Sequence, residues 1–357
     1  MARFHVDLPL LGAVLVVCSL GLVVLFSASD QSADTLTKQS IRMAFGLFVM
    51  LVLAQVTPQT IQRWAPGVYV IGIAMLVVVL FFGTGRSAQR WLDAGVVRFQ
   101  PSEIMKLAVP LTVAAFLCEV RLPPHLRATF IALVIIGIPA ALIVKQPDLG
   151  TAILVASSGF FVLFFAGVRW RFIRNASIVG LAAAPFAWFL LHDYQRQRIL
   201  TLFDPTQDPL GAGYHIIQST IAVGSGGLYG KGWLNGTQSH LEFVPERATD
   251  FIFAVYCEEF GLLGVVVLLA AYSLIILRGL VIAANAQEMF GRLIAASLVA
   301  TFFVYIFVNI GMVSGQLPVV GIPLPLISYG GTSMVTIMAG FGILMSINTH
   351  RRFISSI

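Results

Sequence analysis

The residues of this sequence that could do chemistry gather where polar segments meet long apolar ones. Asp250 ends the stretch Pro245-Glu246-Arg247-Ala248-Thr249-Asp250, and the apolar run from Phe251 follows directly. A carboxylate held there can serve as a general base, a role worth about 10²- to 10⁴-fold in rate. It can equally cap the helix that follows, because Thr and Asp are ordinary N-cap residues. Two turns on stand Glu258 and Glu259, expected inside a span. Acids in that position are costly and face protein or a wet cavity, which places a cavity under Asp250.

Glu103 and Lys106 form a second centre, sharing one helix face at a spacing of three residues. They make either a structural ion pair or part of a polar wall. Arg90 and Arg98 precede them, and the turn Lys145-Gln146-Pro147-Asp148 falls on the same side of the chain's topology. Together these charges could hold a pyrophosphate against cations and leave a carboxylate free to act as a base. Shared sidedness carries that reading, since no local motif does. The glycines between Gly211 and Gly236 do not make a nucleotide P-loop, because Gly232 stands where Ser or Thr should follow Lys231. They either admit an anionic or sugar ligand close to backbone amides or form tight turns. His192, His215 and His240 are isolated, and no metal-ligand spacing is present, so no metal site is assigned.

The elements that must position these groups are membrane spans. The chain of 357 residues is 58% hydrophobic and 11% charged, with a mean hydropathy of +0.91, whereas soluble domains carry about 25% charge. A span needs roughly 20 apolar residues, and such runs lie near 8–28, 41–55, 67–83, 102–118, 128–144, 149–166, 173–191, 251–277, 293–314 and 326–347. The expected fold is therefore an all-α membrane protein of about ten transmembrane helices. It forms a single polytopic domain over 1–357, with one long structured extracytoplasmic loop, 192–250, between spans seven and eight. The first run has no cleavage site and is read as a span. Pro139, Pro185 and the glycines of the last span point to kinks.

An even number of spans puts both termini on one side, with eleven of the 22 basic residues. Of the eleven opposite, four lie in the long loop, which the positive-inside rule largely ignores. Eleven against seven puts both termini in the cytoplasm. The basic residues are scattered among short loops, so the net charge of +6 marks orientation and not a nucleic-acid partner. Cys18, Cys118 and Cys257 all fall within spans and offer no disulfide. The long loop is rich in apolar residues, and 214–223 has the spacing of an amphipathic helix in the membrane interface; a plain surface anchor fits it as well.

Several runs carry a family resemblance: FDPTQDPLGAGYHIIQSTIAVGSGGLYGKGWLNGTQ at 203–238, FVPERATDFIFAVYCEEFGLLG at 243–264, RWLD at 90–93, QPSEIMKLA at 100–108, KQPDLGTA at 145–152 and GQLPVVGIPLPLISYGGTSM at 315–334. Over nearly its whole length the chain resembles the SEDS (shape, elongation, division and sporulation) family, in its RodA branch. Where many relatives carry His-Thr-Asp, this chain has Ala248-Thr249-Asp250, which removes the histidine and leaves the acid. The resemblance implies a peptidoglycan glycosyltransferase of the bacterial inner membrane that polymerises lipid II during cell elongation, paired with a class B penicillin-binding protein. It implies that Asp250 is the essential acid and that Glu103 and Lys106 are the family's pair. Arg90 and Lys145 map onto its basic outer residues, and Asp148, Arg198, Lys231, Ser314 and Gln316 join the candidate cavity lining. On this reading Asp250 takes the proton of the acceptor 4-hydroxyl in an inverting transfer, while the cations or a divalent metal ion balance the pyrophosphate. The competing expectations are a flippase for the lipid-linked precursor and a non-catalytic scaffold.

Overall fold

The structure is a computed structural model describing residues 5–84, 90–93, 98–190, 193–207, 211–240 and 246–350. Apolar residues all round a helix can be covered only by lipid or other helices, and ten long helices answer the ten apolar runs. They are α1 (Leu8–Ala28), α2 (Ala33–Gln55), α3 (Pro58–Phe82), α4 (Pro101–Cys118), α5 (Leu126–Lys145), α6 (Leu149–Phe165), α7 (Trp170–Leu190), then α11 (Ile252–Ala284), α12 (Met289–Val313) and α13 (Thr332–Thr349). Between α7 and α11 lie α8 (Asp193–Phe203), α9 (Ala212–Ser225) and α10 (Thr237–His240). Eight of the ten are long and apolar enough to cross a membrane by length and composition, and Leu149–Phe165 is a shorter apolar helix. The reading as all-α omits one small feature, a hairpin between α3 and α4 in which β1 (Leu92–Asp93) pairs antiparallel with β2 (Arg98–Phe99).

Both described ends of the chain lie at the same end of the bundle. Asp7 caps α1 through Leu10 N at 3.0 Å and accepts from Arg278 of α11 and Asn348 of α13 at 2.6 Å each. One buried carboxylate thus ties three helices together. The opposite end carries the hairpin, α8–α10 and the segment 314–331, and is called the loop end below.

At the loop end the structure departs from the hydropathy reading. α11 has 33 residues, about 50 Å at helical rise, too long for one bilayer core. It breaks at Gly261, where φ is 61° and ψ −163°. A broken helix strands carbonyls on one side and amides on the other, and the glycine-rich loop answers both. Lys231 N and Gly232 N donate to Glu258 O and Glu259 O at 3.0 Å each, and Leu262 N and Leu263 N donate to Gly227 O and Leu228 O at 2.9 and 3.1 Å. A Cβ on Gly226, Gly230 or Gly261 would run into backbone atoms of the opposing strand of chain. The glycines therefore exist for backbone contact, and the loop amides at 231 and 232 are already occupied.

The unbroken part of α11 thus runs from 262 to 284, extending beyond the expected 251–277, and Glu258 and Glu259 stand before the break, held by the loop-end segments. Glu258 accepts from Lys231 Nζ at 2.7 Å and Gln238 N at 2.8 Å, and Glu259 accepts from Ser27 in the last turn of α1. The last span likewise starts at Thr332 and not at 326. The helix expected over 214–223 forms as α9, but its inward face covers the bundle: Ile216 and Ala222 are buried and Ser219 Oγ donates to Val313 O at 2.9 Å. It is part of the protein's own roof, not a free anchor. Pro139 and Pro185 lie inside α5 and α7.

Gly261 sits in a region of backbone space open essentially only to glycine, so Gly261→Ala should cost about 2 kcal/mol or more and lower the thermal midpoint in detergent. Gly67→Ala in α3, with nothing within 4 Å of the added carbon, should be neutral or slightly stabilising. Equal midpoints for the two variants would refute this account of the break.

Candidate functional site

Asp250 does not cap α11. The N-cap residue is Phe251, with no side-chain capping bond, and Thr249 Oγ1 is turned back onto Glu246. The turn is instead pinned from outside through its carbonyls. Asn309 of α12 is fully buried and donates to Asp250 O at 2.9 Å and to Ile322 O at 2.7 Å. Ser328 Oγ donates to Thr249 O at 2.6 Å, and Tyr329 N donates to Ala248 O at 2.9 Å. Three bonds to main-chain oxygens fix the backbone, and among the described residues none hydrogen-bonds the carboxylate. Gly321 lies beside it, where a Cβ would lie 3.4 Å from Asp250 Oδ2. Burial pushes the carboxyl up to about 6, with the charge of Glu246 adding to the rise and that of Arg198 opposing it.

The second charged centre is the ion pair. Lys106 Nζ meets Glu103 Oε1 at 2.7 Å with both side chains 7% exposed, and the same ammonium stands 5.2 Å above the ring of Tyr305. Tyr305 packs in a small cluster with Leu154 and Ile322. Two neighbouring residues thus link the centres, with the acid beside Gly321 and the ion pair's aromatic support packed with Ile322. Glu103 Oε2 and Ser102 Oγ are buried without a hydrogen-bond partner among the described residues, and buried polar atoms of that kind call for a partner that those residues do not supply.

Most of the other expected site residues have structural partners. Arg90 is spent on the turn after α5: Nε donates to Gln146 O at 3.2 Å, Nη2 to Pro147 O, and Nη1 pairs with Asp148 at 3.4 Å. Asp148 also caps α6 through Thr151 N at 3.2 Å. These bonds bind the hairpin to the α5–α6 turn. Lys231 is committed to Glu258 and to Thr237 Oγ1, each at 2.7 Å. Ser314 turns back onto Ile310 O at 2.7 Å. Lys145 and Gln316 are exposed. Arg198, on α8, reaches Asp250 electrostatically. His215 stacks on Phe251 with ring centroids 5.5 Å apart. The side chains of Arg98 and His240, and all of His192, lie outside the described residues. Among the described residues no three His, Cys, Asp or Glu side chains converge as a metal site.

The sequence reading names no walls for an apolar groove, and the structure supplies them. α2 packs on α13 and α3 packs on α4, so the two consecutive helices splay and leave a groove of about 1780 Å³. Ile41, Phe45 and Leu53 line one side, Trp64 and Val68 the other, and α13 the floor; Arg42, Tyr329, Thr84 and Trp91 stand at the loop end. From Ile41 to Leu53 it runs about 18 Å along the helix. Asn309 also escaped the sequence reading, although an amide inside an apolar helix is a signal. Arg42 escaped because one arginine near a span's end looks like an orientation signal.

A profile of the cell cycle protein family FtsW/RodA/SpoVE matches residues 3–353. The chain is 57% identical over 355 residues to the peptidoglycan glycosyltransferase MrdB of Escherichia coli strain K12, covering 99% of this chain and 96% of that protein. It is 33% identical over 361 residues to stage V sporulation protein E of Bacillus subtilis strain 168, covering 97% and 98%. Among solved structures it is similar to a chain from a peptidoglycan synthase complex studied for its coordination of polymerization and crosslinking, with a TM-score of 0.84 and 33% identity over 96% of this chain and 97% of that one. The rod shape determining protein RodA of Thermus thermophilus superposes with a TM-score of 0.72 at 28% identity, over 96% of each chain.

A carboxyl whose folded pKa is raised favours the native state below its unfolded value near 3.8, and that contribution is lost as pH rises to about 6. Above pH 6 the ionised Asp250 is thus a standing cost, and Asp250→Asn removes it. With allowance for solvent at the half-buried carboxylate, the variant should be about 1–2 kcal/mol more stable than the parent at pH 7, and no more stable at pH 4. Thermal melts at both pH values check this; a less stable variant at pH 7 would contradict it.

Proposed function

This chain belongs to the FtsW/RodA/SpoVE family of cell cycle proteins and is a peptidoglycan glycosyltransferase of cell elongation, and we propose that it polymerises lipid II with Asp250 as the general base. The observation that carries the proposal is the state of that one carboxylate. Its main chain is pinned by Asn309 and Ser328, its side chain is not used as a cap, and burial brings it to about 6. A base poised near the working pH is both ionised and able to accept a proton.

The chemistry asks for little else. The acceptor is a weakly acidic sugar 4-hydroxyl and the donor sugar already carries a pyrophosphate leaving group. Asp250 takes the acceptor proton as the oxygen attacks the donor anomeric carbon, the bond to pyrophosphate breaks, and the carbon is inverted. Glu103 and Ser102 offer acceptors for sugar hydroxyls or amides, and Lys106 fixes the orientation of Glu103. The groove between α2 and α3 takes the polyprenyl tail, since its walls are apolar over most of its height and it opens beside the roof.

The loop end faces the periplasm and both termini face the cytoplasm of a bacterial inner membrane, the orientation favoured by the count of basic residues. A crosslinking enzyme, a class B penicillin-binding protein, is the partner, in keeping with the synthase complex that this chain resembles.

Purified protein in detergent given lipid II should form glycan, whereas a flippase or scaffold would form none without a bilayer. Asp250→Asn should lower the polymerisation rate by at least about 100-fold. The parent's rate should fall about tenfold per pH unit below pH 6. Near-normal glycan synthesis by Asp250→Asn would rule out the base assignment.

A further inference from the structure

Of the cations that the sequence points to, Arg90 is paired with Asp148, Lys106 with Glu103 and Lys231 with Glu258, while Lys145 is exposed at the end of α5. Arg42 is different. Among the described residues it has no carboxylate partner, and its guanidinium lies on the ring of Tyr329, 4.6 Å from the centroid. It stands at the loop-end rim of the α2–α3 groove, which Tyr329, Gly330, Gly331 and Thr332 also line.

What surrounds Arg42 makes this placement costly for a chain acting alone. α13 begins at Thr332, its N-cap Gly331 supplies no side-chain acceptor, and its first turn holds no acid. A Cβ on Gly331 would lie 3.4 Å from Arg42 Cδ and Nε, so the guanidinium is held against the positive end of an 18-residue helix. Like partial charges facing each other in a half-buried place repel. Gln39 adds nothing to cancel them, as its side chain is engaged with Ser328 O and Gly330 N.

A cation, a helix N-terminus and an apolar groove of about 1780 Å³ converge at one rim, and the ligand complementary to all three has a strongly anionic head on a long apolar tail. We propose that Arg42, seated on Tyr329, is the residue that binds the pyrophosphate of the polyprenyl-linked substrate at the mouth of the groove. The proposal rests on the lipid II reading above and deepens it. Arg42 is a substrate-positioning cation, remote in role from the base Asp250, and the transfer itself needs no proton from it.

The test uses the full chain in detergent with lipid II as substrate and undecaprenyl pyrophosphate as competitor. Arg42→Gln should raise KM about tenfold, the size of one lost charge-assisted contact, with kcat within about twofold. It should weaken competition by undecaprenyl pyrophosphate to the same degree, and Arg42→Lys should recover most of both. Thr332→Asp separates binding from structure. It supplies the missing counter-charge to Arg42 and α13, so it should keep or raise the thermal midpoint while raising KM. Unchanged KM and unchanged competition in a folded Arg42→Gln or Thr332→Asp would overturn the proposal. Equal competition by phosphatidylglycerol would also overturn it, by showing a general site for anionic headgroups. Absence of glycan from the parent protein would sink the lipid II reading instead, while direct binding of radiolabelled undecaprenyl pyrophosphate to parent and Arg42→Gln would still decide the role of Arg42.

Discussion

Backbone polar groups inside a membrane protein have no water to fall back on, and the break in α11 at Gly261 is where that constraint bites hardest. Carbonyls 258 and 259 and amides 262 and 263 lose their helical partners there, and the loop 227–232 returns all four. The break lets nine residues of α11 lie at the loop end as part of a roof before the chain turns down into the bundle. Without it Phe251 and its neighbours would continue a rod some 50 Å long, and the turn bearing Asp250 would be carried clear of α12. Asn309 and Ser328 could not then reach its carbonyls. The glycine loop is thus a condition of the site although it contributes no group to the chemistry.

The same economy governs the charges. Partners close most of the loop-end ion pairs within the chain: Arg90 to Asp148, Lys231 to Glu258, Arg247 to Asp30. Each of these links segments distant in sequence, and each removes a cation from the pool that could meet a substrate. Breaking such a partly buried pair leaves a charge exposed to a poor solvent, which makes them good fasteners. Among the described residues the two groups proposed for function stand outside these pairs, an acid lifted by burial at 250 and an arginine over an aromatic ring at 42.

Much of the fold was legible in the sequence because lipid imposes a simple rule on composition. Ten apolar runs became ten helices, several with matching caps: Asp7, Ser32 and Asp148 stand one residue before α1, α2 and α6. The rule failed at 251–260 and 326–331 for a physical reason. Residues such as Ile252, Val255 and Leu326 are apolar because protein covers them, and hydropathy does not distinguish burial in protein from burial in lipid. Asp250 was legible from its position before an apolar run, but its freedom from capping was not, since that depends on Asn309 some 59 residues away. Arg90 was misleading for the same reason, its partner being 58 positions on. The groove could not be read at all, because it is a space left where α2 and α3 choose other neighbours.

The geometry also explains why the acid and the groove have to be separate. A lipid-linked sugar has a tail that belongs in hydrocarbon and a reacting carbon that belongs in water, so the protein must meet it at the seam between the two. Burying Asp250 in the groove would raise its carboxyl far beyond 6 and leave it protonated and useless as a base. Placing it on the outer surface of the roof would return it to the usual carboxylate range and make it a weaker base. The half-buried turn against Gly321 lies between these extremes. Gly321, whose φ of 72° favours glycine, puts backbone without a side chain beside Oδ2. For the proposed base, desolvation raises the carboxyl, and the helix break at Gly261 lets the turn that carries it stand where Asn309 and Ser328 hold its backbone.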